Sequence, residues 1–205
     1  MNRKILLRLI LLSVVVISVW YKSSAKTETE TVTVPDQKES VIGIGHRVTG
    51  FSANDDMGNV WKLADNLGSS YLIVYFYPAA MTGGCTLQAC SYRDHSTELE
   101  DLDVEVVGVS GDSVNNLKIF RDAHDLNFTL LSDIDGGIAG LFGVPVKEGG
   151  AITRTVGGVD VSMIRAYTTS RWTFILDSEG KIIYKDTDVQ AGNDSIDVIE
   201  FLRAI

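Results

Sequence analysis

The sequence predicts an α/β fold: a central mixed sheet with helices on both faces. Three observations carry the prediction. Short apolar runs rich in β-branched and aromatic residues, at Tyr71–Tyr77, Val104–Ser110 and Phe128–Leu131, read as buried strands. Between them lie segments with helical apolar spacing or helix-capping residues. Near the end, Trp172–Asp177 and Ile182–Lys185 flank Ser178-Glu179-Gly180, a hairpin signal that adds antiparallel strands. Strands that alternate with helices build a largely parallel sheet, and such a sheet needs cover on both sides.

The elements follow in chain order. Residues 1–25 form a signal segment: Leu9–Tyr21 is almost wholly apolar and is preceded by Arg3 and Lys4. Counted from Ile5 with Arg8 included, the run would make about 25 Å of helix, short of the roughly 30 Å of a bilayer core. Trp20, Tyr21 and Lys22 suit a membrane interface, whereas Ser23 and Ala25 suit cleavage after Ala25. Membrane anchor and cleaved export signal both fit. Residues 26–40, KTETETVTVPDQKES, hold nothing large to bury and read as a solvated linker. The globular domain is expected over 41–205. It opens with a hairpin around Asn54–Asn59 leading to Val60–Leu63. A helix carrying both cysteines follows Tyr71–Tyr77 and is expected to run to about Asp101. Asp112 or Ser113 would cap the next helix, with Val114, Leu117, Phe120 and Ala123 on one side. Asp135–Phe142 reads as a short glycine-rich helix. Between Pro145 and Ser170 the pairs Gly149-Gly150 and Gly157-Gly158 mark an added hairpin. Asp194 or Ser195 would cap a closing helix bearing Ile196, Ile199 and Leu202.

Charge limits the function. The chain has a formal charge of −9, yet five cations and no anion lie in its first 26 residues, leaving −14 on the rest. Such a domain has no electrostatic footprint for nucleic acid. A cationic start ahead of an apolar run keeps the start inside and exports the acidic domain, so an extracytoplasmic location is expected.

The chemistry concentrates in YLIVYFYPAAMTGGCTLQACSYRD, Tyr71–Asp94, which contains both cysteines of the chain. Pro78 ends the strand and keeps Tyr77 extended. The Gly83-Gly84 pair is expected to supply a tight turn, with Thr82 as N-cap of the helix that follows. Cys85 then sits in the first helical turn, where free N–H groups and the helix dipole favour an anion such as a thiolate. Cys90 lies five residues on. In an intact helix that is a rotation of about 140° and a Cα separation of roughly 8 to 9 Å, beyond the about 7 Å a disulfide spans. The two sulfurs can bond only if the helix unwinds. A structural disulfide across so small a loop would constrain little of the unfolded chain.

Pro78, Thr82 and Cys85 form P-x-x-x-T-x-x-C, and together with Cys90 they resemble the peroxiredoxins, most closely the peroxiredoxin Q (bacterioferritin comigratory protein) subfamily. The resemblance extends from about Val48 to the C-terminus. It implies a thioredoxin-like fold and a thiol peroxidase acting on hydrogen peroxide or organic hydroperoxides. In that reading Cys85 is the peroxidatic residue, Cys90 the resolving residue, Thr82 a hydrogen-bond partner of the peroxide and Pro78 a shield against solvent. Arg171, in SRWTFILDSEGK, matches the arginine that completes the family's site. A thioredoxin-like dithiol would be the reductant, no cofactor or metal is implied, and a monomer is expected. Two features depart from the family pattern. Gly83 stands where a proline commonly follows the threonine, and the segment from Pro145 to Ser170 is longer than in compact members.

Other readings of these residues are weaker. Thr82 would serve as an N-cap in any case, and Arg171 alone reads as a surface ion pair. Arg93 suits a structural pair with Asp94. His46, His95 and His124 are scattered away from the cysteines, and Cys85 with Cys90 supplies too few ligands for zinc or copper. Ser132-Asp133-Ile134-Asp135-Gly136 lacks the distal acid of a calcium loop and reads as a strand end and helix cap. A membrane-tethered thiol–disulfide oxidoreductase would want Cys-x-x-Cys.

Overall fold

The structure, a computed structural model, describes residues 42–68 and 71–205. The expected signal segment (1–25) and the expected linker (26–40) lie outside the described residues, within which no helix is long and apolar enough to cross a membrane. The elements are β1 (Ser52–Asp55), β2 (Val60–Lys62), α1 (Leu63–Asn66), β3 (Tyr71–Phe76), α2 (Gly83–Asp94), α3 (Ser96–Asp101), β4 (Val104–Ser110), α4 (Val114–His124), β5 (Thr129–Ser132), α5 (Gly137–Leu141), β6 (Val146–Val156), β7 (Val159–Thr169), β8 (Trp172–Asp177), β9 (Ile182–Asp186) and α6 (Asp194–Arg203).

Seven strands form one mixed sheet in the order β2-β1-β5-β4-β3-β8-β9. The neighbours β3/β4 and β4/β5 are parallel and the other pairs antiparallel. Side chains alternate across the central strands, as the period of two requires. Ile73, Tyr75, Val104, Val106 and Ile175 face one layer with residues of α2, α3, α4 and α6. Leu72, Val74, Phe76, Val107 and Phe174 face the other, with Leu63 of α1 and Ile138 and Phe142 at α5. Burial on both faces explains why β3 and β4 read as continuous apolar runs rather than alternating ones.

Several expected boundaries shift, each for a local reason. The cysteine helix stops at Asp94 instead of reaching Asp101, because His95 leaves helical geometry (φ −100, ψ 15) and α3 restarts at Ser96. Ser113 caps α4 by accepting from Asn116 N, while Asp112 is buried and engaged elsewhere. At α6 the cap position falls on Asn193, so Asp194 and Ser195 lie inside the helix and are buried. The stretch from Ser132 to Gly136 is the expected strand end and helix cap: β5 ends at Ser132, Gly136 holds the N-cap position of α5, and the carboxylate of Asp133 accepts from Ile138 N at 2.9 Å and Ala139 N at 2.8 Å.

The segment between Pro145 and Ser170 forms the two-stranded hairpin β6–β7. Its turn is Gly157-Gly158, at φ 59 and 82, a conformation that favours glycine. The other pair serves differently: a Cβ on Gly149 would lie 2.3 Å from the Arg165 carbonyl oxygen, so the glycine permits close strand approach.

Candidate active site

Register decides which residues meet. Phe76, the last residue of β3, pairs with Trp172, the first of antiparallel β8. Arg171 therefore sits at the carboxyl end of β3, where the chain turns through Pro78–Thr82 into α2. Parallel strands present their ligand crevice at this end.

The turn into α2 is not built as the sequence implies. Neither Gly83 nor Gly84 takes a positive φ; the left-handed residue is Met81, at φ 62. Three anchors from distant segments hold this loop. Ala80 N donates to Asp112 Oδ2 at 2.8 Å, Arg154 Nε of β6 donates to Met81 O at 2.7 Å, and Thr169 Oγ1 donates to Tyr77 O at 2.9 Å. Asp112 is itself paired at 2.8 Å with Arg165 of β7, and both side chains are almost fully buried. The hairpin thus clamps the loop rather than standing apart from it.

Thr82 occupies the N-cap position, but its side chain makes no cap bond. Its hydroxyl instead donates to Ala79 O at 2.8 Å, which leaves the oxygen free to accept a hydrogen bond. Pro78 is half-buried at the end of β3. Cys85, 1% exposed, projects from the first turn of α2, and Arg171 Nη2 lies 3.4 Å from its Sγ. Gly84 makes room for this contact: a Cβ there would lie 3.3 Å from Arg171 Nη2. Cys90 is half-buried, five residues along the same helix, and both cysteines are free thiols.

A second tier lies behind the guanidinium. Arg171 Nη1 bonds Gln88 Oε1, and Gln88 Nε2 donates to Asp194 Oδ2 at 2.6 Å. Tyr92 Oη and Thr173 Oγ1 also donate to that oxygen, at 2.8 and 2.9 Å. Burial raises the Asp194 carboxyl above the usual aspartate range, and these three donors pull it part of the way back. Burial likewise holds the phenols of Tyr75, Tyr77 and Tyr92 well above the ordinary tyrosine value, so all three stay protonated.

The structure therefore brings Cys85, Thr82, Pro78 and Arg171 to one sheet end, with Cys90 on the same helix but turned away. The sequence reading missed Gln88, Asp194, Arg154, Arg165 and Asp112. Of these only Gln88 carries a local signal, since a residue three places after Cys85 shares its side of the helix. Arg93 forms the expected pair with Asp94.

A cysteine buried at a helix start thus lies beside a cation at one end of this sheet. The model of the AhpC/TSA family matches residues 44–185. Peroxiredoxin Bcp of Escherichia coli K12 is 38% identical over 153 residues, 75% of this chain and 90% of the relative. The chain belongs to this peroxiredoxin family. Among solved structures, peroxidoxin BcpB from Mycobacterium tuberculosis aligns with a TM-score of 0.67 at 29% identity, covering 80% of this chain and 98% of that one. The bacterioferritin comigratory protein of Xanthomonas campestris, described for its alkyl peroxide reduction activity, aligns with a TM-score of 0.61 at 25% identity, covering 75% and 90%. This peroxiredoxin has the thioredoxin-like fold and is a thiol-dependent peroxidase of the Bcp and peroxiredoxin Q group. Its substrate is a hydroperoxide and its reductant a thiol.

Proposed function

We propose that Cys85 is the peroxidatic and Cys90 the resolving cysteine of a peroxidase acting on hydrogen peroxide and organic hydroperoxides. The contact between Arg171 and Cys85 carries the reading. The Cys85 thiolate attacks the distal peroxide oxygen and the O–O bond breaks. Water or an alcohol leaves with a proton, and Cys85, oxidised by two electrons, becomes a sulfenic acid. Arg171 offers its guanidinium to the negative charge on sulfur and on the departing oxygen. Thr82, whose proton is committed to Ala79, accepts from the peroxide O–H, and half-buried Pro78 limits water at the sulfur. The first turn of α2 then unwinds. The Cys90 thiolate attacks the Cys85 sulfur, expelling the hydroxyl as water, and a disulfide forms. A thioredoxin-like dithiol reduces it by exchange, becoming a disulfide itself. Organic hydroperoxides are included because the Xanthomonas campestris relative reduces alkyl peroxides.

The reading extends to location. Residues 1–25 export the acidic domain, either as a signal cleaved after Ala25 or as an anchor with residues 26–40 as tether, and the enzyme works outside the cytoplasm as a monomer. Cell fractionation with N-terminal sequencing of the mature chain separates anchor from cleaved signal.

The catalytic assignment is tested by rapid mixing of reduced protein with hydrogen peroxide or cumene hydroperoxide, followed by mass spectrometry of the cysteines. Cys85→Ser should abolish consumption. Cys90→Ser should turn over once and stop at the sulfenic acid; full multiple turnover by it with the same dithiol would refute the resolving role.

A further inference from the structure

The two halves of α2 are held very differently. Gly83 and Gly84 are exposed, and a Cβ on Gly83 would meet nothing within 4 Å. The one side-chain bond to this turn from outside, among the described residues, is that of Arg171 to Cys85. From Gln88 onward the helix is bonded to the C-terminal segment. Gln88 and Tyr92 both donate to Asp194 Oδ2, Ser91 Oγ lies 2.5 Å from Ser195 Oγ, and Ser195 Oγ lies 3.0 Å from His95 Nδ1. Asp194 is 1% exposed, so its bonds are sheltered from competing water.

Asp194 also reaches the reacting sulfur through a short chain of contacts. It fixes the Gln88 amide, whose oxygen takes Arg171 Nη1, while Nη2 of the same guanidinium points at Cys85. A rigid, planar cation held at Nη1 has its Nη2 direction set.

We propose that Asp194 is a positioning residue for both half-reactions. Through Gln88 it aims Arg171 at Cys85 for peroxide attack, and through Gln88 and Tyr92 it stops the unwinding of α2 at residue 88. The inference rests on the assignment of Cys85 and Cys90 made above. Cys85 is then the cysteine that travels. Three residues extended from a fixed Gln88 reach about 10 Å, enough to carry Cys85 to a Cys90 that stays in place. The stop also bears on the cost of opening, because one helical bond of the first turn, that from Gln88 N–H, ends on a residue that Asp194 of α6 holds.

The two roles oppose each other in rate, which separates them from simple structural support. In Asp194→Asn the charge that strengthens the three bonds is gone while the shape remains. Peroxide attack on Cys85 should slow about tenfold, because Arg171 loses its aim, and condensation of sulfenic acid with Cys90 should quicken about fivefold, because the later turns loosen. Quenched-flow with thiol trapping and mass spectrometry reads the two steps separately on the full-length protein. Both rates within twofold of wild type, or both moving in the same direction, overturn the inference. Should Asp194→Asn fail to fold, Tyr92→Phe decides: it removes one bond to Asp194, and condensation should quicken about threefold, whereas an unchanged or slower condensation overturns the stop. A wild-type enzyme that consumes peroxide without forming the Cys85–Cys90 bond overturns the assignment of Cys90 and this inference with it. A wild type that cycles normally beside variants that fail these signs overturns the inference alone.

Discussion

Arg171 Nη2 lies 3.4 Å from Cys85 Sγ, although 86 residues separate the two in the chain. The same guanidinium is fixed at its other nitrogen by Gln88, so its charge is oriented before any peroxide arrives. Orientation in advance is what makes such a group effective on charge that develops during reaction. Arg171→Met should slow peroxide attack on Cys85 about 100-fold. Arg171→Lys keeps the charge but cannot bridge sulfur and amide as a planar fork does, and should recover only part of the loss. Stopped-flow rate constants under excess peroxide measure both; a Met variant close to wild type would remove Arg171 from the mechanism.

The two glycines that open α2 should separate opening from attack. Alanine at either position favours the helix by about 0.5–1 kcal/mol and so should slow the condensation that needs the turn to melt. At Gly83 the new methyl meets nothing within 4 Å. At Gly84 it presses on Arg171 Nη2, the end of a side chain that must give way. Gly84→Ala should therefore also slow peroxide attack, about threefold for a guanidinium shifted by a few tenths of an ångström. Equal attack rates in the two variants would show that this contact does not set the aim of Arg171.

The limits of sequence reading fall along the same lines. The central strands were legible because burial on both faces leaves an unbroken apolar run, and Gly157-Gly158 marked its hairpin because both residues need positive φ. Cys85, Thr82 and Pro78 were legible because their spacing is local, and Arg171 because a family motif surrounds it. Asp112 and Asp194 each stand beside a serine as alternative helix caps in the sequence, since each pair precedes an apolar-periodic segment as a cap does, and at α4 the serine, Ser113, takes the role. What makes them buried acceptors is the arrival of Arg165, 53 residues away, and of Gln88, 106 residues away. Nothing in local pattern distinguishes a cap from a core acceptor. The end of α2 at His95 was invisible for a related reason: no glycine or proline marks it, and the His95 ring takes up Ser91 O, a contact of the folded helix itself.

The clamp between Arg165 and Asp112 yields a stability prediction. Arg165 and Asp112 side chains are 3% and 0% exposed, and Asp112 also accepts from Ala80 N, Ser110 Oγ and Asn116 Nδ2. Removing one partner leaves the other charge buried and unpaired, at a cost of about 3–5 kcal/mol. Arg165→Met should lose about that much in urea unfolding. The double variant Arg165→Met with Asp112→Leu should regain part of it, though Ala80 N would still lack its acceptor. A double variant no more stable than Arg165→Met alone would mean that the unpaired charge is not what the single substitution exposes.

Stability should also depend on pH through Asp194. Its Oδ2 holds three donors, while its Oδ1 is buried without a hydrogen-bond partner among the described residues. Burial therefore outweighs the donors, and the folded-state pKa lies above that of the unfolded chain. The folded protein then binds the proton more readily than the unfolded one does. The stabilisation linked to that proton is fully present below the unfolded value of about 4 and is lost as pH rises through the folded value. Other carboxylates titrate in the same range, so wild type must be compared with Asp194→Asn, which has no proton to lose at this site. The stability of wild type relative to the variant should be greatest in acid and should decline across that window to a plateau at neutral pH. Urea unfolding of both proteins at a series of pH values reads the difference directly. A difference that grows with pH would mean that the three donors outweigh burial and that the carboxylate, not the acid, is the form the fold prefers.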